Sequence, residues 1–377
     1  MNSGVRIGID GRALSGNRTG IGRYVYHLCR ELDKVLPDAQ FIVYSQGPLE
    51  MPIASERWML KVDESPLARR MKPVLWLKAG CGRLCKHDGL DIFWGSGTFL
   101  PALSSKVRSI STVYDLNWLV APETMSLAHL WSHKLFFKRD LNHAGVIAAI
   151  SEGTAGRLHK LIGRQADLVV RPAVDEHFKP HPGESIRDCL SKYKIMAPYL
   201  LAVGTWEPRK NLALLVDTYL AMKSDGLLSE HQLVLVGGRG WKDERLASIV
   251  AASPDRGILP LGYVPDADLP PLYAGADVFV FPSIYEGFGL PVLEARACGA
   301  RVVTTDLPEL REAGGSDAVY VQPNRDELRK GIMHALMQPQ PGATTDLPSW
   351  ASGAKLMAEA IAGTQAQSSS CRRALRR

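Results

Sequence analysis

Two glutamates stand eight positions apart in SIYEGFGLPVLEARACG, residues 283–299. They are Glu286 and Glu294, with two glycines and a proline between them. Gly287 and Gly289 suit a sharp turn, and Pro291 suits a first helical turn, where its missing N–H costs nothing. The pattern predicts Glu286 in a loop and Glu294 in the first turn of the helix that follows. Two carboxylates so placed can face one ligand, accepting protons from hydroxyls or standing against a developing positive charge. A carboxylate near a helix N-terminus also pairs with the helix dipole when no ligand is involved, so Glu294 has a purely structural reading as well.

Three further loops carry candidate chemistry. GTWEPRKNLALL sets Gly204 after an apolar run and Arg209 and Lys210 before a helix expected to start near Asn211. Adjacent cations at a helix start can clamp a diphosphate, and an exposed basic pair is the plainer reading. TVYDLNW sets Tyr114 and Asp115 at a strand end. Asp115 there either holds a hydroxyl or initiates a turn. SGNRTGIGRY places Gly16, Gly20 and Gly22 ahead of a helix. Its free N–H groups suit a phosphate, or the loop is a plain flexible turn. As a dinucleotide fingerprint it fails, because Val25 stands where the third glycine of G-x-G-x-x-G belongs. That counts against a Rossmann-type oxidoreductase. A non-catalytic nucleotide- or polysaccharide-binding module is disfavoured by paired acids accompanying paired cations. Asp266-Ala267-Asp268 has the D-x-D spacing but reads as a helix start, and no metal set is predicted.

These loops need a scaffold. In the first half, VRIGID, QFIVYS, DIFWGS, RSISTVYD, GVIAAIS and ADLVVRP are short apolar runs separated by helix-length stretches. GRYVYHLCRELDKVL has Tyr24, Leu28, Leu32 and Leu36 on one helical face. Past residue 180 the alternation restarts with YLLAVGT, HQLVLVGG, GILPLG, DVFVFPS and ARVVTT. Strand and helix alternating in this way predicts parallel sheets with crossover helices. Proline- and charge-rich DEHFKPHPGESIRDCLSKYKIMAPY reads as the connection between the halves. The fold class is α/β, as two doubly wound, Rossmann-like domains facing across a cleft. PSWASGAKLMAEAIAG reads as one more helix with Ser349 as its N-cap, and TQAQSSSCRRALRR as a disordered polar tail.

Composition narrows the class. A chain of 377 residues, 46% hydrophobic and 22% charged, is long enough for two domains. No apolar run approaches the ~18 residues of a membrane helix. The start MNSGVRIGIDGRAL has no signal-peptide core, so a cytoplasmic protein is expected, peripheral on the inner face of the membrane. Six cysteines, only Cys81 and Cys85 close together, argue for scattered thiols. Residues 1–180 hold 24 Lys and Arg against 17 Asp and Glu, and the remainder is nearly balanced. A basic first half points to a polyanion, an anionic membrane surface or a phosphorylated ligand. LARRMKPVLWLKAGCGRLCK mixes Leu67, Met71, Leu75 and Leu77 with Arg69, Arg70, Lys72 and Lys78. It is either a bilayer-facing stretch or a helix packed on its own sheet.

Taken in order, AISEGTAGRL, VRPAVDEHFKP, GTWEPRKN, LGYVPDADLPPLYAGADVFVFPS and EGFGLPVLE resemble the retaining glycosyltransferases of family 4, which have the GT-B fold. The resemblance covers nearly the whole chain and is most similar to bacterial mannosyltransferases of surface-polysaccharide assembly. It implies an acceptor-side domain at 1–180, a nucleotide-sugar domain at 198–346, a helix at 347–362 crossing back onto the first domain near Trp350, and a disordered tail at 363–377. Arg209 and Lys210 would grip the donor diphosphate, and Glu294 the ribose. Glu286 and the backbone of Phe288, Gly289 and Leu290 would hold the donor sugar. Val264 would lie beside the base, and Gly20 would touch the phosphates. The implied donor is GDP-mannose, with other GDP- or UDP-sugars open. The implied acceptor is lipid-linked or a growing saccharide. No metal, cofactor or nucleic acid is implied. Two positions depart from the family pattern. Gly204-Thr205 replaces a Gly-Arg pair, which loads the phosphate more heavily on Arg209, and Tyr114 replaces a histidine before Asp115.

Overall fold

The computed structural model describes residues 4–16, 20–238, 240, 244–252, 255–342, 344 and 346–374, with side chains up to residue 363. The chain forms two compact units. One takes Met1–Trp118, Ser126–Pro172 and Pro348–Arg377, and the other takes Leu119–Met125 and Ala173–Leu347.

The first unit is built on seven parallel strands: β1 (Arg6–Asp10), β2 (Gln40–Ser45), β3 (Trp58–Val62), β4 (Ile92–Gly95), β5 (Arg108–Val113), β6 (Val146–Ala149) and β7 (Leu168–Val169). Their order is β3-β2-β1-β4-β5-β6-β7. The second unit has six parallel strands: β8 (Tyr199–Val203), β9 (Gln232–Val236), β10 (Ile258–Gly262), β11 (Val278–Phe281), β12 (Val302–Thr305) and β13 (Val319–Val321). Their order is β10-β9-β8-β11-β12-β13. The same doubly wound order thus occurs twice. The direction of winding reverses between β1 and β4, and again between β8 and β11. Loops leaving the carboxyl ends of those strand pairs splay apart and leave a crevice, where ligands bind in this architecture.

The inner strands are buried end to end, as in β6 and β11, because helices cover both sheet faces. Trp76, Phe93, Phe137 and Leu141 anchor the core on one side of the first sheet. Leu200, Leu235, Val280, Val303, Tyr219 and Met222 do so in the second unit. Each such side chain contributes about 1.5–3 kcal/mol on leaving water.

Several expectations change. The connecting stretch is not a linker throughout, because Gly183–Tyr193 is a helix of the second unit. It is fixed by Lys192 and Tyr193, which donate to Asp268 at 2.6 and 2.5 Å. The main segment of the second unit is accordingly Ala173–Leu347. In the basic stretch 67–86, Trp76, Leu77, Cys81 and Cys85 are buried against the first sheet, and Lys78 pairs with Asp140. Leu67 and Leu75 are the large apolar residues exposed there. The last helix runs Trp350–Ala374 rather than stopping at residue 362, since no proline interrupts the polar stretch that follows. Residues 375–377 of the expected disordered tail lie outside the described residues. Ser349 caps that helix, its Oγ accepting from the Ser352 N–H at 3.1 Å. Trp350 stacks on His27 at 5.0 Å and meets Tyr24 edge-on at 5.9 Å, seating the helix on Gly20–Val35. Among the described residues no helix is long and apolar enough to cross a membrane. Cys29, Cys81, Cys85, Cys189 and Cys298 are free and buried.

Candidate active site

The loop after β8 begins at Gly204, whose N–H donates to Val236 O at 2.9 Å. It closes in one 3-10 turn, Pro208–Lys210. Asn211, in the left-handed region at φ 54°, then turns the chain into the helix Leu212–Ser224. The loop after β11 lies alongside, because Ile284 N–H donates to Arg209 O at 2.9 Å. The strand order makes this possible, since β8 and β11 are neighbours in the sheet.

Side chains complete the join. Glu286 accepts from Lys210 Nζ at 2.6 Å through Oε1 and from Arg209 Nη1 at 2.9 Å through Oε2. Arg209 Nε donates to Glu207 at 2.9 Å. Lys210 Nζ also sits 4.7 Å from the centre of the Phe281 ring, a cation–π distance. Lys210 and Glu286 are buried, at 8% and 7% exposure. An isolated buried charge would cost several kcal/mol, so each is tenable only beside the other. Burial pushes the Glu286 carboxyl up, but Lys210 and Arg209 outweigh it and hold the group below the usual carboxylate range. The result is a fixed carboxylate with two fixed cations at the reversal point of the sheet. Such cations need no reorganisation to receive negative charge as it develops on a leaving group.

Glu294 is not in the first turn of its helix. Gly289 is the N-cap of Leu290–Ala297, so Glu294 is its fifth residue. The helix therefore begins earlier than a first-turn Glu294 would require, directly after Gly289. Gly289 has φ 102°, and a Cβ there would stand 2.5 Å from Leu310 Cδ2. Only glycine meets both conditions. Glu294 is buried and accepts from Tyr273 Oη at 2.9 Å, which fixes it from the neighbouring helix Leu269–Gly275. Phe288 and Val264 are buried, at 2% and 3% exposure, and Leu290 is half-buried.

Arg209, Lys210 and Glu286 are thus brought together, and Glu294 is held on the helix that follows the Glu286 loop. Gly20 and Asp115 belong to the first unit. Gly20 opens the helix Gly20–Val35, and residues 17–19 of its loop lie outside the described residues. Asp115 Oδ1 accepts from Asn117 N–H at 3.0 Å, a turn-initiating contact. Tyr114 is buried and donates to Ser96 O at 2.6 Å.

Three residues escaped the sequence reading. Tyr273 carries no local signal, because its role depends on how two helices pack. Buried Asp10 pairs with half-buried Arg12 at the carboxyl end of β1, at 2.7 Å, and Ser96 after β4 donates to Asp10 O at 2.6 Å. An aspartate ending the first strand, two residues before an arginine, was the available signal. Asp266–Asp268 is a short 3-10 turn, and among the described residues no group of side chains could hold a metal ion.

Residues 197–338 match the family of glycosyl transferases group 1. The O-antigen chain mannosyltransferase B of Escherichia coli is 34% identical over 250 residues, covering 65% of this chain and 65% of that protein. The serotype-specific mannosyltransferase WbdA of Escherichia coli is 29% identical over 251 residues, covering 63% of this chain and 30% of that protein. The matched part spans less than two thirds of either relative. In three dimensions the chain is similar to the sucrose-phosphate synthase of Thermosynechococcus elongatus, with a TM-score of 0.74 and 20% identity over 96% of this chain and all of that one. The chain therefore carries a glycosyl transferases group 1 domain and has the GT-B fold.

Proposed function

We propose that the protein is a retaining, metal-independent glycosyltransferase. It moves mannose from GDP-mannose onto a lipid-linked or growing saccharide acceptor in the assembly of O-antigen or a similar surface polysaccharide. The observation that carries this reading is the Glu286–Lys210–Arg209 cluster at the β8/β11 reversal point of a group 1 domain. The mannosyltransferase names of the relatives support the choice of sugar.

In this reading Lys210 and Arg209 receive the diphosphate as its charge grows, and no metal ion is required for that task. Glu294, oriented by Tyr273, accepts hydrogen bonds from the ribose hydroxyls. Val264 borders the base, and the Phe288–Leu290 backbone lines the sugar. Glu286 orients sugar hydroxyls and faces the positive charge at the anomeric carbon. A carboxylate already committed to two cations is a weak nucleophile, so Glu286 does not form a glycosyl-enzyme. The bond from the anomeric carbon to the diphosphate breaks, its electron pair leaves with the nucleotide, and the acceptor oxygen bonds on the same face. The proton of the acceptor hydroxyl goes to the departing diphosphate. The first unit takes the acceptor side, with Asp115 offered to a hydroxyl.

A thermal-shift screen of GDP, UDP, ADP and their sugars, in EDTA, tests the reading. Bound nucleotide stabilises the fold by about 2.7 kcal/mol at a hundredfold excess over its Kd. GDP and GDP-mannose should raise Tm most. Stabilisation by none of these nucleotides would contradict it.

A further inference from the structure

The helix Leu127–His143 carries Phe136, Arg139, Asp140 and His143 at i, i+3, i+4 and i+7. That spacing ordinarily turns an apolar stripe toward a core, and here three of the four side chains are ionisable. The stripe borders a cavity of about 500 Å³ within the first unit. Lys78, residues 100–105, Val107 and Ser109 supply its other walls. The volume falls in the range of small-molecule sites, about 300–1,000 Å³. Val107 stands just before β5, and His143 ends its helix shortly before β6. The cavity therefore lies toward the amino ends of two parallel strands, whereas the crevice lies at the carboxyl ends.

The protein satisfies the polar groups of this cavity only in part. Asp140, at 6% exposure, accepts through Oδ2, from Lys78 Nζ and from the Leu100 N–H at 3.0 Å. Among the described residues no donor meets its Oδ1. Ser109, at 5% exposure, accepts from the Gly145 N–H at 3.3 Å and keeps a hydroxyl proton to donate. Arg139 is exposed and has no ion-pair partner among the described residues. His143 Nδ1 donates to Arg139 O at 2.7 Å, since a carbonyl can only accept, which leaves Nε2 for a ligand. Asp140 O takes the Ala144 N–H at 2.9 Å, so these last carbonyls of the helix are occupied.

Two kinds of polar contact are thus kept apart. Asp140 neutralises Lys78, so Arg139 is the cation left to hold an anion. Asp140 Oδ1 repels an anion and suits a hydroxyl. Phe136 and Leu103 offer apolar surface between them. A wholly apolar ligand would strand buried Asp140 and Ser109 without partners. Inorganic phosphate would leave Asp140 unanswered.

We propose that this cavity is a second ligand site, for a small sugar phosphate. Ring hydroxyls donate to Asp140 Oδ1 and accept from Ser109 Oγ, a CH face of the ring packs on Phe136, and the phosphate lies against Arg139 and His143. A phosphomonoester has a second pKa of about 6, so at neutral pH it shares a proton with His143 Nε2. The site is separate from the cluster of Arg209, Lys210 and Glu286 and does not depend on the transfer reading.

Titration calorimetry of the full chain with mannose 1-phosphate and mannose 6-phosphate tests it, with mannose and inorganic phosphate as controls. At least one sugar phosphate should bind, more tightly than either control. Saturating GDP should leave that affinity unchanged, and so should Lys210→Ala. Arg139→Gln should weaken it about tenfold to a hundredfold, the worth of a charge-assisted hydrogen bond, and Arg139→Lys should restore part of the loss. Ser109→Ala should weaken it about twofold to tenfold. Arg139 and His143 are exposed, so Arg139→Gln and His143→Gln should keep the wild-type Tm, which separates lost binding from lost folding. Binding of neither sugar phosphate would overturn the proposal. So would inorganic phosphate that binds as tightly, displacement by GDP, or full affinity in both Arg139→Gln and His143→Gln.

Discussion

Lys210 and Glu286 are 76 residues apart in the chain and share a hydrogen bond of 2.6 Å in the folded protein. The contact exists because β11 lies beside β8, so two loops distant in sequence leave neighbouring strand ends. It fixes a cation and a carboxylate in one place before any ligand arrives. That preorganisation is the physical basis of the predictions below.

Lys210→Ala removes one of two cations offered to the diphosphate. A charge-assisted hydrogen bond is worth roughly 1.5–3 kcal/mol, so nucleoside diphosphate affinity should fall about tenfold to a hundredfold. Titration calorimetry with GDP reads this directly, and affinity equal to wild type would remove Lys210 from the phosphate site.

Acid should expose the Glu286 pairing. The carboxyl is held low in the folded state by Lys210 and Arg209 and has its ordinary value, about 4.3, when unfolded. Between those two values the unfolded chain binds more protons. The stabilisation is therefore present above the unfolded value and is lost as pH falls through the folded one. Scanning calorimetry should find wild type more stable than Glu286→Gln at neutral pH, with the gap closing as the solution is made strongly acidic. A gap independent of pH would contradict the pairing.

Tyr273→Phe keeps the ring against Phe279, now at 5.2 Å, and deletes the bond to Glu294. Tyr273 is a positioning residue in this account. KM for the donor should rise about tenfold, the worth of one hydrogen bond to a charged group, with kcat nearly unchanged. Glu294→Gln should act in the same direction and more strongly. A fall in kcat at constant KM would argue against a ribose contact.

How much of this was legible in the sequence depended on burial. The inner strands announced themselves as unbroken apolar runs, as in DVFVFPS before Ser283. The two strands that were missed, β3 and β13, are edge strands with a single neighbour each. β3 carries Met59 and Lys61 on a half-open surface, and β13 has three residues. Neither shows the continuous pattern of a strand covered on both faces. The residue types at the site were readable, because glycine, proline and paired charges mark a turn at a strand end. The pairing of Glu286 with Arg209 and Lys210 was not, since it depends on strand order rather than on spacing. Glu294 was placed one turn early because the sequence does not say that the helix starts at Leu290, ahead of the proline that marked its first turn. The helix Gly183–Tyr193 was taken for a linker because it buries little besides Cys189.

Gly289→Ala tests the local geometry independently of function. The added Cβ meets Leu310 Cδ2 at 2.5 Å on a backbone with φ 102°. Strain of this kind costs about 1–3 kcal/mol, at about 2–4 °C of Tm for each kcal/mol in a domain of this size. An unchanged Tm would mean that the turn adopts another conformation.

The central claim is that this cluster transfers a sugar with retention and without a metal. It is tested most directly by incubating the protein with GDP-mannose and a soluble mannose-terminated saccharide in EDTA, and analysing nucleotide and product. The account predicts GDP in equal amount to an α-linked product, no sugar bound to the intact protein by mass spectrometry, and turnover lower by about 10²–10³ in Glu286→Gln. An inverted product, an absolute need for divalent metal, or mannose trapped covalently on Glu286 would contradict it.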